Sequence, residues 1–111
     1  MRCTMLIYRP RERTPHVLKF ASAPSTGEME AILGGQVKHV PGFLSIEHEG
    51  VVHRCVALRA ENGSDKKPPL NVAATILWDL ALRRDLGIGL IGRNGTRADD
   101  LAGPVTILFA N

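Results

Sequence analysis

The sequence predicts an α+β fold in a single domain covering residues 1–111. Three observations carry this. Short apolar, β-branched runs come in pairs with hairpin spacing. One long helical pattern lies late in the chain. The element order reads β-β-α-β-β-β-α-β, which makes the sheet mostly antiparallel and packs it with two helices.

The elements follow from the residues in order. Cys3 to Tyr8 is apolar and rich in large side chains, as a strand requires. Arg9-Pro10-Arg11-Glu12-Arg13-Thr14-Pro15 ends it as a loop, because proline fixes φ, lacks an N–H and drives its predecessor out of the helical region. His16 to Phe20 is extended again and pairs back as an antiparallel hairpin. Ser25-Thr26-Gly27-Glu28 has capping-box spacing. Met29, Ile32 and Leu33 follow on one helical face, and Gly34-Gly35 stops the helix with a left-handed cap.

Gln36 to Pro41 is short and extended. Leu44 to His48 and Val51 to Leu58 flank Glu49-Gly50, the best hairpin signal in the chain. In two-residue register His48 faces Val51, Ile46 faces His53 and Leu44 faces Cys55. All six side chains then share one face. Glu61 to Pro69 is a polar loop with a double proline.

Asn71 caps the main helix, Val72 to about Asp85. Placed on a helical wheel, Ala73, Ala74, Ile76, Leu77, Trp78, Leu80, Ala81 and Leu82 cover well over half the circumference. Thr75, Asp79 and Arg83 form the polar stripe, with Asp79 and Arg83 at ion-pair spacing. A surface helix shows a much narrower apolar stripe. This one is therefore either tucked under the 86–103 segment or shared with a partner. A symmetric homodimer burying Trp78 and Leu82 would satisfy the second option. Beyond Gly87 come the apolar run Ile88 to Ile91 and a glycine-rich charged loop through Asp100. Gly103-Pro104 opens the last strand, Val105 to Phe109, whose nearly unbroken apolar pattern fits burial on both faces.

Composition excludes several classes. With 111 residues, 44% apolar and 23% charged, the chain is too balanced for disorder and too short for a second core. Two cysteines are too few for a disulfide scaffold. The N-terminal apolar run is too short for a secretion signal, and nothing approaches a membrane span, so the expected compartment is the cytoplasm. The net charge of +3 conceals opposed blocks. Residues 1–20 carry five positive charges and one negative, residues 21–65 three and six, and residues 66–97 six and two.

Four features together resemble a known family. They are Gly34-Gly35 leading into a short strand, the strand pair around Glu49-Gly50, the Pro68-Pro69-Leu70-Asn71 entry into a helix, and the closing Leu101-Ala102-Gly103-Pro104-Val105-Thr106-Ile107-Leu108. From about Met5 to Phe109 the chain is similar to the small bacterial, plasmid and phage proteins catalogued as domain of unknown function 3846. The resemblance implies a compact α+β domain associated with mobile genetic elements and brings no catalytic residues. Asn71 matches the family's most recognisable position. The stretch from Gly87 to Asp100 departs from many members as a long insert.

Candidate chemistry is sparse. Gly87-Ile88-Gly89-Leu90-Ile91-Gly92 spells the dinucleotide fingerprint in the wrong context, since a helix precedes it and no helix follows. No cofactor is assigned. His48, His53 and Cys55 share a hairpin face and offer metal-ligand chemistry, with His39 the nearest fourth group. Their spacing matches no common metal motif, and a metal-dependent enzyme there is the second alternative. No serine sits in a nucleophile elbow. Arg9, Arg11 and Arg13 cluster in one loop, Lys66 and Lys67 in another, and Arg93 and Arg97 in a third. These are the contacts of the first alternative, nucleic-acid binding. The leading expectation is a small accessory protein, weighed against being an enzyme, that binds another macromolecule and pairs with a second copy through the main helix.

Overall fold

Strand β1 (Cys3–Tyr8) is buried along its whole length, because its alternating side chains enter two different cores. Met5 and Ile7 join one apolar cluster, and Leu6 and Tyr8 join the other. The computed structural model describes residues 2–60, 69–88 and 101–111. The remaining elements are β2 (His16–Phe20), α1 (Thr26–Leu33), β3 (Val37–His39), β4 (Ser45–His48), β5 (Val51–Arg54), β6 (Val56–Ala60), α2 (Val72–Leu86) and β7 (Val105–Ala110).

The α+β fold class holds. Five strands form one antiparallel sheet in the order β2-β1-β7-β6-β3, and β4 and β5 form a separate pair. One face of the large sheet packs Met5, Ile7 and Leu58 against Met29 and Leu33 of α1. The other packs Leu6, Tyr8, Ala57, Val105, Ile107 and Phe109 against α2 and against Ile46 of the β4–β5 pair. Strand β7 lies between β1 and β6, as its continuous apolar pattern requires. The Cα radius of gyration is 13.7 Å, close to the roughly 13 Å of a single domain of this length.

The local signals of α1 are fulfilled. Ser25 Oγ accepts from the Glu28 N–H at 3.2 Å, and the Ser25 N–H donates to Glu28 Oε1 at 3.3 Å. Gly34 caps the helix at φ +80°. The predicted register of β4 and β5 also stands: Ile46 pairs with His53 and His48 with Val51, and the Cys55 N–H donates to Leu44 O at 3.0 Å.

Two expectations need correction. The run Val51 to Leu58 is not one strand. It divides at Cys55, and β6 leaves its hairpin partner to pair with β7 and β3. The break lets one chain segment serve two sheets: Ala57 is needed in the core of the large one, while His53 stays opposite Ile46. The second correction concerns α2. Thr75 is not on a solvated stripe. It is 4% exposed, donates its hydroxyl to Asn71 O at 2.8 Å and accepts from the Leu101 N–H at 3.0 Å. With its hydroxyl satisfied twice, this face turns inward, and the opposite, aliphatic face turns out. Val72 and Ile76 are each 55% exposed and Leu80 48%. Of the polar stripe, Arg83 stays exposed and pairs with Asp79 at 2.9 Å, an interaction worth under about 1 kcal/mol.

Candidate functional site

The outward face of α2 is the floor of a groove. Val72, Ile76 and Leu80 stand at i, i+4 and i+8, one above the other on the helix surface. Leu70, 41% exposed, extends the strip at its N-terminal end. The Arg9–Thr14 loop between β1 and β2 forms the opposite wall, so that Arg11 and Arg13 flank Leu70, Val72 and Ile76 around a volume of about 550 Å³. Arg11 holds φ +70°, and the Glu12 N–H closes the turn onto Arg9 O at 3.2 Å. Glu12 itself lies 3.1 Å from the His16 ring. Among the described residues no carboxylate forms an ion pair with Arg9, Arg11 or Arg13. Glu12 also lines the groove, so its rim carries two guanidiniums and one carboxylate above a mainly aliphatic floor.

Trp78 and Leu82, expected to face a partner, do not. They are 5% and 6% exposed and belong to the core that α2 shares with the sheet. Trp78 also donates its indole N–H to Pro41 O at 2.9 Å. Leu82 lies under Gly42, where an added Cβ would come within 2.6 Å of its Cδ2. The wide apolar circumference read from the sequence is real, but the part left exposed is Val72, Ile76 and Leu80.

No family model, curated protein or solved structure matches this chain. The geometry alone carries the functional argument.

Arg9, Arg11 and Arg13 lie together as the sequence indicated. Lys66, Lys67, Arg93, Arg97 and the glycine pattern from Gly89 to Gly92 fall outside the described residues. Four aromatic side chains, Tyr8, Phe43, Trp78 and Phe109, are core residues. The floor beneath the arginines is mainly aliphatic; Tyr8 also lines it but is only 8% exposed, unlike the open stacking platform a single-strand binder uses.

The His48, His53 and Cys55 face separates into different environments. Both imidazoles lie against the Phe109 ring, with centroids at 5.5 Å for His48 and 4.4 Å for His53. Cys55 packs against the core of α2. No three His, Cys, Asp or Glu side chains among the described residues converge as a metal site. Burial pushes the Cys55 thiol up to about 12, the Asp85 carboxylate adds to the rise, and the Arg84 guanidinium opposes it. A thiol so held is neither a ready nucleophile nor a ready ligand.

This gives a prediction. Around neutral to mildly alkaline pH, iodoacetamide should leave Cys55 unmodified in the native protein and label it once guanidinium unfolds the chain, as peptide mass mapping would show. The folded state holds this proton more tightly than the unfolded one. Stability should be undiminished below about pH 9 and should decline as pH rises toward 12. Rapid native labelling would contradict the assigned environment.

Behind Cys55, the hairpin is fastened to the end of α2. Ser45 Oγ donates to Asp85 Oδ2 at 2.6 Å, and Arg84 Nε donates to Ser45 Oγ at 2.9 Å. A buried serine between a carboxylate and a guanidinium suggests catalysis at first sight. Here every group is consumed by its neighbour, and the cluster ties two elements together.

Proposed function

We propose that this protein is a protein-association module, and that the groove between the Arg9–Thr14 loop and α2 receives an acidic amphipathic segment of another protein. The observation that supports this reading is the outward apolar strip Val72, Ile76 and Leu80, whose Val72 and Ile76 line a groove with Arg11 and Arg13, neither of them ion-paired among the described residues. An amphipathic helix lays its apolar residues at i, i+4 and i+7 into such a strip and its acidic side chains against the arginines. Complementary charge then fixes orientation and speeds encounter.

Charge also weighs against a second copy as the occupant. A symmetric pair across α2 would bring the arginine loop of one protomer toward Arg83 or the same loop of the other, placing like charge on like charge. An accessory role in a mobile genetic element, acting in the cytoplasm, belongs to the same proposal and rests on the family resemblance.

The test is fluorescence anisotropy with a short helical peptide carrying leucines on one face and glutamates on the other. The comparison probes are its lysine counterpart and a single-stranded oligonucleotide. The glutamate peptide should bind, and Ile76→Asp or the pair Arg11→Glu and Arg13→Glu should weaken it by at least about tenfold. Tighter, salt-sensitive binding of the oligonucleotide would overturn the proposal in favour of nucleic acid. A dimer that Ile76→Asp dissolves would overturn it in favour of a second copy.

A further inference from the structure

A second cleft lies on the same side of the large sheet, beyond the β4–β5 pair. Its floor is the sheet itself, where Thr4 pairs with Lys19 on β2 and with Phe109 on β7. Its wall is the hairpin, with His48, Glu49, Val51 and His53. The enclosed volume is about 580 Å³, within the range of small-molecule sites. The hairpin spacing puts the two histidines on one face, and only the fold joins them to Lys19 and Asn111.

The geometry points to a binding site for a small phosphomonoester. The donors are the reason. Lys19 supplies an ammonium with three N–H groups. His53 stacks on the Phe109 ring and His48 lies against it at a tilt of 52°, so ring contact engages both imidazoles without using their nitrogens. Among the described residues neither ring nitrogen is committed to a hydrogen bond, and His48 Nε2 lies 3.7 Å from Glu49 Oε1, too far for one. The Thr4 hydroxyl donates to Asn111 Oδ1. That contact fixes the amide and presents its Nδ2 donors away from Thr4.

Four donor groups of this kind, one of them an ammonium, suit the three free oxygens and the double charge of a phosphate ester. Val17 and Val51, both about half exposed, give the cleft apolar walls for the body that carries the phosphate. Glu49 is the one acidic side chain among the lining residues; it is 86% exposed at the hairpin turn with its Oε1 3.7 Å from His48 Nε2, and it opposes an anion there. The site is independent of the groove beside α2, which shares none of its lining residues.

The sign of Glu49 makes the test specific. Phenyl phosphate, inorganic phosphate and phenol are titrated into the labelled protein while the His48 and His53 ring resonances and the Asn111 side-chain amide are followed by NMR. Phenyl phosphate should saturate these shifts, inorganic phosphate should do so more weakly, and phenol should not. Lys19→Gln should weaken phenyl phosphate by about tenfold, and Glu49→Gln should tighten it by about threefold. Both residues are exposed, so each variant should keep the fold, and the unperturbed spectrum verifies this. Opposite changes in the two variants support the site. Changes in the same direction, no change, or shifts confined to the Arg9–Thr14 loop would overturn it. Displacement by a single-stranded oligonucleotide with no saturation by phenyl phosphate would overturn the small-ligand assignment.

Discussion

Asn71→Ala is expected to destabilise the protein by about 3–5 kcal/mol, a large part of the total stability of a small domain. Asn71 is 0% exposed and uses its whole amide. Oδ1 accepts from the Ala74 N–H at 3.1 Å, capping α2. Nδ2 donates to Tyr8 O and to Gly103 O, each at 2.9 Å. One side chain therefore joins the end of β1, the entry to β7 and the start of α2. Alanine removes the cap, worth about 1 kcal/mol, and takes the amide donor from each of the two carbonyls at about 1–2 kcal/mol apiece. The midpoint of chemical unfolding reads this directly. Asn71→Asp separates the roles: it keeps an acceptor for Ala74 but faces two carbonyls with a carboxylate, so it should rescue little. A variant that unfolds at the wild-type midpoint would show that the three-way junction is not what holds these elements together.

The sequence already marked Asn71 as a cap, and the structure shows why a cap was only part of it. Capping is local and legible, because it depends on a residue and the three that follow. The bonds to Tyr8 and Gly103 span most of the chain and leave no trace in local spacing. The same division runs through the rest of the molecule. The capping box at Ser25, the left-handed glycine after Leu33 and the register across Glu49-Gly50 all follow from short-range rules, and all are present. The break at Cys55 is not legible, since no glycine or proline between Val51 and Leu58 marks the end of a strand. Only the need to place Ala57 in the large sheet demands it. The functional surfaces fall in the same class. Arg11 and Arg13 were visible as a cluster, but their neighbours Val72 and Ile76 lie some sixty residues away in the chain. Lys19 and His53 are likewise joined only by the fold.

Helix α2 shows most sharply what periodicity leaves open, and it supplies a second large effect. Apolar residues around most of its circumference do not say which arc the domain keeps. If Trp78 faced a partner, Trp78→Ala would dissociate a complex and leave the monomer folded. In the structure Trp78 packs between the sheet and the chain around Phe43, with its indole N–H on Pro41 O. Trp78→Ala is therefore expected to cost about 3–5 kcal/mol of monomer stability through lost burial and the cavity left behind. Trp78→Phe should cost less, about 1–2 kcal/mol, because the ring volume is partly kept while the Pro41 carbonyl loses its donor. Ile76→Ser, two residues earlier and on the exposed arc, should change stability by no more than about 0.5 kcal/mol, although it removes a floor residue of the groove. Trp78 is the single tryptophan of the chain, so its emission reports one site. The native maximum should be blue-shifted and should move to longer wavelength on unfolding. Equilibrium unfolding of the three variants places the boundary between core and contact surface on the helix. A destabilised Ile76→Ser beside a stable Trp78→Ala would turn the helix over and return the partner surface to Trp78 and Leu82.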